Sequence, residues 1–345
     1  LTSINTLSDA LIEGLGSMYV GNDPSSTTDE ANYNLAVGVT ALDAITTGDY
    51  NTAMGYSSLT DNTTGGTNTA FGNQTLFKNT TGDRNTAIGH QSLFQNTEGS
   101  HNTAVGYNVL TNTTSNSNTG IGTTALTDNT TGAYNVALGM NVLRSHTTSH
   151  YNTSIGNNSL QDANRTADTD GYNVAVGYNA GNTGTNDITT GNKNTLLGSS
   201  TAASAAAGTN QTVVGYGASG QANNSITLGN ADVTAVYMSQ DKGATVYATT
   251  IAAGGGGAAG VYKSDGDYDV TLQTGNSTTG SITITDGANG DITLAPNGSG
   301  KTDFNDNAIT GYGADLQAES GTSKTLAAAD NGTIIVCSSS SAVTI

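Results

Sequence analysis

Chemistry in this chain could turn on four histidines, one cysteine and fifteen tyrosines. His90, His101, His146 and His150 are scattered along the sequence. No nucleophile stands beside an evident base and no pair of carboxylates recurs in phase, so neither nucleophilic nor acid–base catalysis has a candidate. His146 and His150 flank one turn, and a metal could join them only across an axis shared with other copies. The glycine-rich stretches are not followed by a helix, which leaves no phosphate cradle. The calcium-binding nonapeptide does not occur in register. Cys337 sits in an alternating stretch and reads as a small buried residue rather than a reactive thiol. We expect no enzyme, no cofactor and no bound metal.

Tyrosine is patterned. Tyr33, Tyr50, Tyr134, Tyr151 and Tyr172 each sit just ahead of a predicted strand, and Tyr56, Tyr107, Tyr178 and Tyr216 each directly follow a recurring glycine. Columns of this kind build ladders, either as buried rungs or as rows of amphipathic rings for sugar or protein contact. The first five are the candidate receptor or glycan contacts.

The element that positions them is a repeat. Asn-Thr-Ala-apolar-Gly returns about every 17 residues, most clearly at Asn51–Gly55, Asn68–Gly72, Asn85–Gly89 and Asn102–Gly106. Its glycines include Gly38, Gly55, Gly72, Gly89, Gly106, Gly122, Gly139 and Gly156. A period this short is one coil of a solenoid. The residue before the glycine is always apolar: Val37, Met54, Phe71, Ile88, Val105, Ile121, Leu138, Ile155 and Val176 form a column. With the β-branched residue two places earlier it shares one face of a short strand, and we expect that face to be the core. A leucine four places after the glycine (Leu42, Leu59, Leu76, Leu93, Leu110, Leu126, Leu143, Leu160) predicts a second, shorter strand. Asn-Thr-Thr-Gly predicts the closing turn, through left-handed angles at Asn and Gly. The asparagine heading each coil predicts either a hydrogen-bonded ladder or a cap on the turn.

Composition agrees. The chain has 46 glycines, no tryptophan and 34% apolar residues, too few for an ordinary globular core. Only 10% of residues are charged, so charge does not drive disorder. The net charge of −18 is scattered, with no basic patch, which argues against nucleic-acid binding and for a long particle kept soluble. No apolar run approaches the roughly 18 residues of a membrane span.

The tracts Val213-Val214-Gly215-Tyr216-Gly217-Ala218-Ser219 and Ser225-Ile226-Thr227-Leu228-Gly229-Asn230 resemble the head repeats of YadA-like trimeric autotransporter adhesins, and the step from Gly215 to Gly229 is 14 residues. The 17-residue coils, with Gly-Tyr-x-x-Leu and Asn-Thr-Thr-Gly turns, are similar to repeats in bacteriophage tail fibres. So are Gly280–Thr285 with Gly290–Gly298, which look like a fibre shaft, and Leu326–Cys337, which looks like the entry to a tip domain. The resemblance implies an all-β chain built as a left-handed parallel β-roll, three copies packed around an axis, then a β-prism-like shaft and the start of a tip. Its implied partners are a second and third copy, phage tail or baseplate proteins, and a host surface glycan or outer-membrane protein. Its implied place is the virion. The basic neck and membrane anchor of autotransporters are missing here. The alternative is a trimeric adhesin on the bacterial cell surface; an ice-binding solenoid would need two flat threonine ranks, and we read one, facing inward.

The expected organisation is a short helix or trimer lead-in over 1–16, a β-roll shaft over 17–237, a neck over 238–262, a triple-stranded β shaft over 263–322 and an unfinished β domain over 323–345. Leu1 in place of Met, and Ile345 within an alternating stretch, lead us to expect an anchor and a tip outside this sequence.

Overall fold

The computed structural model describes residues 10–13, 16–21, 24, 30–163, 170–236, 316–319 and 334–337. The chain divides into two units, Leu1–Val246 and Tyr247–Ile345. In the first, every repeat glycine is preceded by one short strand. These are β2 (Ser17–Val20), β3 (Leu35–Val37), β4 (Thr52–Met54), β5 (Thr69–Phe71), β6 (Thr86–Ile88), β7 (Thr103–Val105), β8 (Thr119–Ile121), β9 (Val136–Leu138), β10 (Thr153–Ile155), β11 (Val174–Val176), β12 (Thr195–Leu197), β13 (Gln211–Val214) and β14 (Ser225–Leu228). They stack in sequence order, parallel and in register, so that Thr52, Ala53 and Met54 pair with Thr69, Ala70 and Phe71. The protein is an all-β parallel solenoid with coils of about 17 residues and, among the described residues, no helix. A strand β1 (Ala10–Glu13) pairs antiparallel with β2. That corrects the helix expected over 1–16 for these four residues: the first rung has an open edge whose amides and carbonyls a strand can pair and a helix cannot. In the second unit β15 (Leu316–Glu319) pairs parallel with β16 (Ile334–Cys337), which places Cys337 in a strand. The expected neck, and the shaft strands before residue 316, lie outside the described residues.

The coil interior is narrow. Ala36, Ala53, Ala70, Ala87, Ala104 and Ala137, the middle residues of their strands, are fully buried, and Leu59, Leu76, Leu93, Leu110, Leu126, Leu143 and Leu160 face them. The residue before the glycine lies on the opposite side of the strand: Phe71 is 52% exposed and Leu138 42%, while Val37, Met54, Val105, Ile155 and Val176 are half-buried. This corrects the inward placement of Val37, Met54, Phe71, Ile88, Val105, Ile121, Leu138, Ile155 and Val176 within a single coil. The threonines two places earlier, Thr69 among them, share the outward face, so the inward threonine rank is corrected too. Space explains it: the gap between strand and leucine admits a methyl group.

The leucines are buried as expected, but on turns rather than a second strand. Leu59, Leu76 and Leu93 have φ of 51°, 50° and 54°. A left-handed non-glycine residue costs about 1–2 kcal/mol, and full burial of leucine returns about 1.5–3 kcal/mol. Their amides bond to the next coil, Leu59 N to Thr75 O and Leu76 N to Ser92 O, both at 3.0 Å. The closing turn is present, but its left-handed residues are elsewhere; Asn62–Gly65 has none. Gly65 is required by crowding, since a Cβ there would meet Asn62 Oδ1 and Gly82 O, each at 2.5 Å.

The asparagine ladder forms as expected. Asn68 N donates to Asn51 Oδ1 at 3.0 Å, Asn85 N to Asn68 Oδ1 at 2.9 Å, and Asn68 Nδ2 to Gly82 O at 2.8 Å. A second buried ladder runs through the turn, with Asn79 Nδ2 donating to Asn62 Oδ1 at 2.7 Å and Asn96 Nδ2 to Asn79 Oδ1 at 2.9 Å. These pairs keep buried amides satisfied where the thin core supplies little. Where a column changes, its neighbour compensates: Gly181 takes the leucine position, and Leu196, in place of alanine, fills the space beside it.

Candidate functional site

Each coil sets a fixed group of residues at left-handed angles, and one of them stands just ahead of the Asn ladder. Tyr33, Tyr50, Tyr134, Tyr151 and Tyr172 have φ between 48° and 60°. The same backbone on every coil aims each side chain the same way, so rings on adjacent coils must overlap. Tyr33 and Tyr50 stack with centroids 4.9 Å apart and planes 9° apart; Tyr134, Tyr151 and Tyr172 form a continuous stack with both spacings at 5.1 Å. All five are exposed, from 43% to 57%. The ladders are therefore surface rows and not buried rungs. Inside a stack the ring faces cover one another, so what remains for a ligand is the outer faces, the edges and a file of hydroxyls. Tyr172 OH donates to Asp170 Oδ2 at 2.8 Å, and that bond holds the phenol above its ordinary pKa.

Between the two stacks the same position is held by Thr67, Arg84, His101 and Ser117, all with φ between 56° and 61°. Arg84 Nη1 lies 3.4 Å from His101 Nε2. Two further ring pairs line other columns: His90 on Tyr107 at 5.3 Å, and Phe77 on Phe94 at 5.2 Å, with Lys78 Nζ both 4.8 Å from the Phe77 centroid and 3.1 Å from Asp61 Oδ2. The tyrosines after the glycines, Tyr56, Tyr107, Tyr178 and Tyr216, are exposed as well.

The histidines do not converge. His146 is 1% exposed and occupies the turn position that Asn62, Asn79, Asn96 and Asn129 hold on other coils, with Nε2 3.0 Å from Asn152 Nδ2. Buried there, it cannot reach a metal on an outer axis. Burial, and secondarily the proximity of His150, lower its pKa to about 4. His150 Nδ1 accepts from Ala133 N at 3.0 Å. Among the described residues, His, Cys, Asp and Glu gather in no group of three or more.

No family model, curated protein or solved structure matches this chain. What can be said of it rests on its own surface.

That surface has a second feature. The outward strand face carries the apolar column as an unbroken stripe: Phe71, Ile88, Ile121, Leu138, Leu197 and Leu228 are each at least 38% exposed. Beside it run Thr52, Thr69, Thr86, Thr103, Thr119 and Thr153. A monomeric soluble protein rarely leaves so continuous an apolar strip uncovered. Sequence reasoning found the column but assigned it to the wrong side of the strand. Among the described residues, no helix is long and apolar enough to cross a membrane.

Proposed function

We propose that the chain is a structural fibre protein of a bacteriophage tail: a homotrimer of left-handed β-rolls that spaces and presents a receptor-binding tip for host attachment. The observation that carries the reading is the outward apolar stripe. It repeats at every rung in exact register, so its natural cover is a surface with the same rung spacing, which is another copy of the chain. Three rolls meeting along their stripes enclose a shared core and leave the tyrosine rows free. Backbone cost points the same way. Each regular coil holds three non-glycine residues at positive φ, such as Tyr50, Ser57 and Leu59, worth about 3–6 kcal/mol together. Its own core is one alanine, one leucine and the residue before that leucine, such as Ser58, Ala125 or Val142.

In this reading the partners are two further copies, tail or baseplate proteins, and a host surface glycan or outer-membrane protein touched by the tyrosine rows; the location is the virion. A trimeric adhesin on a bacterial surface uses the same roll, and the 14-residue last coil favours it equally. An ice-binding face is disfavoured because the outward threonine rank is flanked by unequal, bulky side chains such as Phe71 and Met54 rather than a second rank of threonine. Gold-labelled antibody against residues 30–163, imaged on whole particles, decides the location. Label along a phage tail supports the proposal, and label on a cell envelope replaces it with the adhesin.

A further inference from the structure

The step from Gly177 to Gly198 is 21 residues, four more than the regular coil, and the loop Asn182–Asp187 carries the extra length. The loop is exposed yet braced: Thr183 N and Gly184 N donate to Asp187 Oδ1 at 2.5 and 2.7 Å, and Thr183 Oγ1 donates to Thr185 O at 2.7 Å. Ile188, at its end, is buried. Beside the loop lies a groove of about 330 Å³. Asn179, Ser200 and Gly217 line it from the same position on three successive coils, joined by Ser219 and by Thr183 and Thr185 of the loop. Asn179, Ser200 and Gly217 have φ of 52°, 55° and 60°, so they are presented in register by the backbone.

We infer that this groove is a binding site for a neutral saccharide, one or two pyranose rings long. No lining residue titrates, and the chain carries a net charge of −18, so an anionic ligand gains nothing there and a cationic one finds no lining carboxylate. Ala202 is the one apolar residue among those lining it, which leaves no pocket for a hydrophobic side chain or an acyl chain. Hydroxyls and amides that both donate and accept are what vicinal sugar hydroxyls require. The volume lies at the lower end of the ~300–1,000 Å³ typical of ligand sites.

One polar atom is left over. On the three coils that lead to it the Asn179 position is paired across rungs, with Thr124 Oγ1 donating to Asn141 Oδ1 at 2.6 Å and Asn141 Nδ2 to Asn158 Oδ1 at 3.1 Å, whereas Asn108 Oδ1, at the same position one coil earlier, is unpaired. At the groove that chain ends, and Asn179 Oδ1 has no partner; turning the amide outward lets a ligand hydroxyl supply one. Tyr178 and Tyr216, which precede Asn179 and Gly217, are 54% and 75% exposed but do not line the groove.

The biological meaning of the site rests on the fibre reading, but its test does not. Saturation-transfer NMR on the intact 345-residue chain, with trisaccharides of glucose, mannose, galactose and N-acetylglucosamine, and trigalacturonate as the charged probe, should give transfer to at least one neutral sugar. Asn179→Ala with Ser200→Ala should weaken that sugar at least tenfold. Thr185→Ala, on the exposed loop that lines the groove, should weaken it severalfold with unchanged melting. Gln74→Ala, the same position on a distant coil, should change nothing. A polymer of the sugar competing in proportion to its residues identifies internal units as the ligand; competition in proportion to chain ends identifies terminal ones. Silence from all four neutral sugars, preference for trigalacturonate, or equal loss in Gln74→Ala overturns the site. If the chain is trimeric and binds no neutral sugar, the groove assignment alone fails; a monomeric mass overturns the fibre reading whatever the sugars do.

Discussion

Lowering the pH should loosen one coil before the others, and His146 is the reason. The imidazole is buried, and its pKa falls from the ordinary 6.5 to about 4. Because the folded value is the lower one, the unfolded chain takes up the proton first as pH falls. The stability this site contributes is whole above pH 6.5, is lost progressively down to about pH 4, and is level below that. The shift corresponds to roughly 3 kcal/mol per chain at about 1.4 kcal/mol per pH unit. Repeat proteins contact only neighbouring coils, so the loss should appear as local opening around residues 143–152. His146→Asn isolates the effect. It restores the residue that the ladder uses elsewhere and offers a donor to Asn129 Oδ1, which has no partner in the wild-type chain. The variant should be about 1 kcal/mol more stable at pH 7.5, from one added buried hydrogen bond. It should lose less between pH 7.5 and 4.5. Amide exchange of residues 143–152 in both proteins at both pH values measures this. Equal acid loosening of the two, or a variant less stable at pH 7.5, refutes the reasoning.

Ile88→Asp places a charge in the outward stripe between Phe71 and Val105; if copies cover that stripe the cost is several kcal/mol, and both assembly and melting temperature should fall. Unchanged mass and melting would mean that the stripe is not a seam. Gly72→Ala should cost about 3 kcal/mol or more in chemical denaturation, because φ is +137° and the new Cβ would sit 2.1 Å from Gly89 O; a loss under 1 kcal/mol would show the glycine stack to be slack. Deleting Asn68–Arg84 removes one whole coil and should shorten the rod by one rung, about 4.8 Å, with folding intact. Deleting only Asn68–Thr75 should abolish folding, and equal tolerance of both deletions would contradict the in-register stack.

Much of the coil was legible because its signals are local. Asn at the head, the strand, the glycine and the buried leucine all recur at one spacing, and the ladders of Asn51, Asn68 and Asn85 follow from stacking them. The orientation of the strand was not legible. Thr-Ala-Met and Thr-Ala-Phe fix which residues share a face, but not which face is inside. The rule that large apolar residues go inward fails here because the space opposite leucine admits only alanine. The left-handed positions were hidden for a different reason. Tyr, Thr, Arg, His and Ser fill the one ahead of the Asn ladder, and Leu fills another; none of these announces positive φ as glycine does. The tyrosine columns were visible, but their exposure depended on that backbone. The groove beside Asn179 needs three coils and a loop together, and no single stretch of sequence contains it.

The central claim is that the outward stripe is covered by copies of the same chain. Light scattering on the purified chain, coupled to size separation and run across a hundredfold range of concentration, tests it most directly. The account predicts a single species of three times 34.5 kDa that persists on dilution. A stable, cooperatively melting species of 34.5 kDa would contradict it.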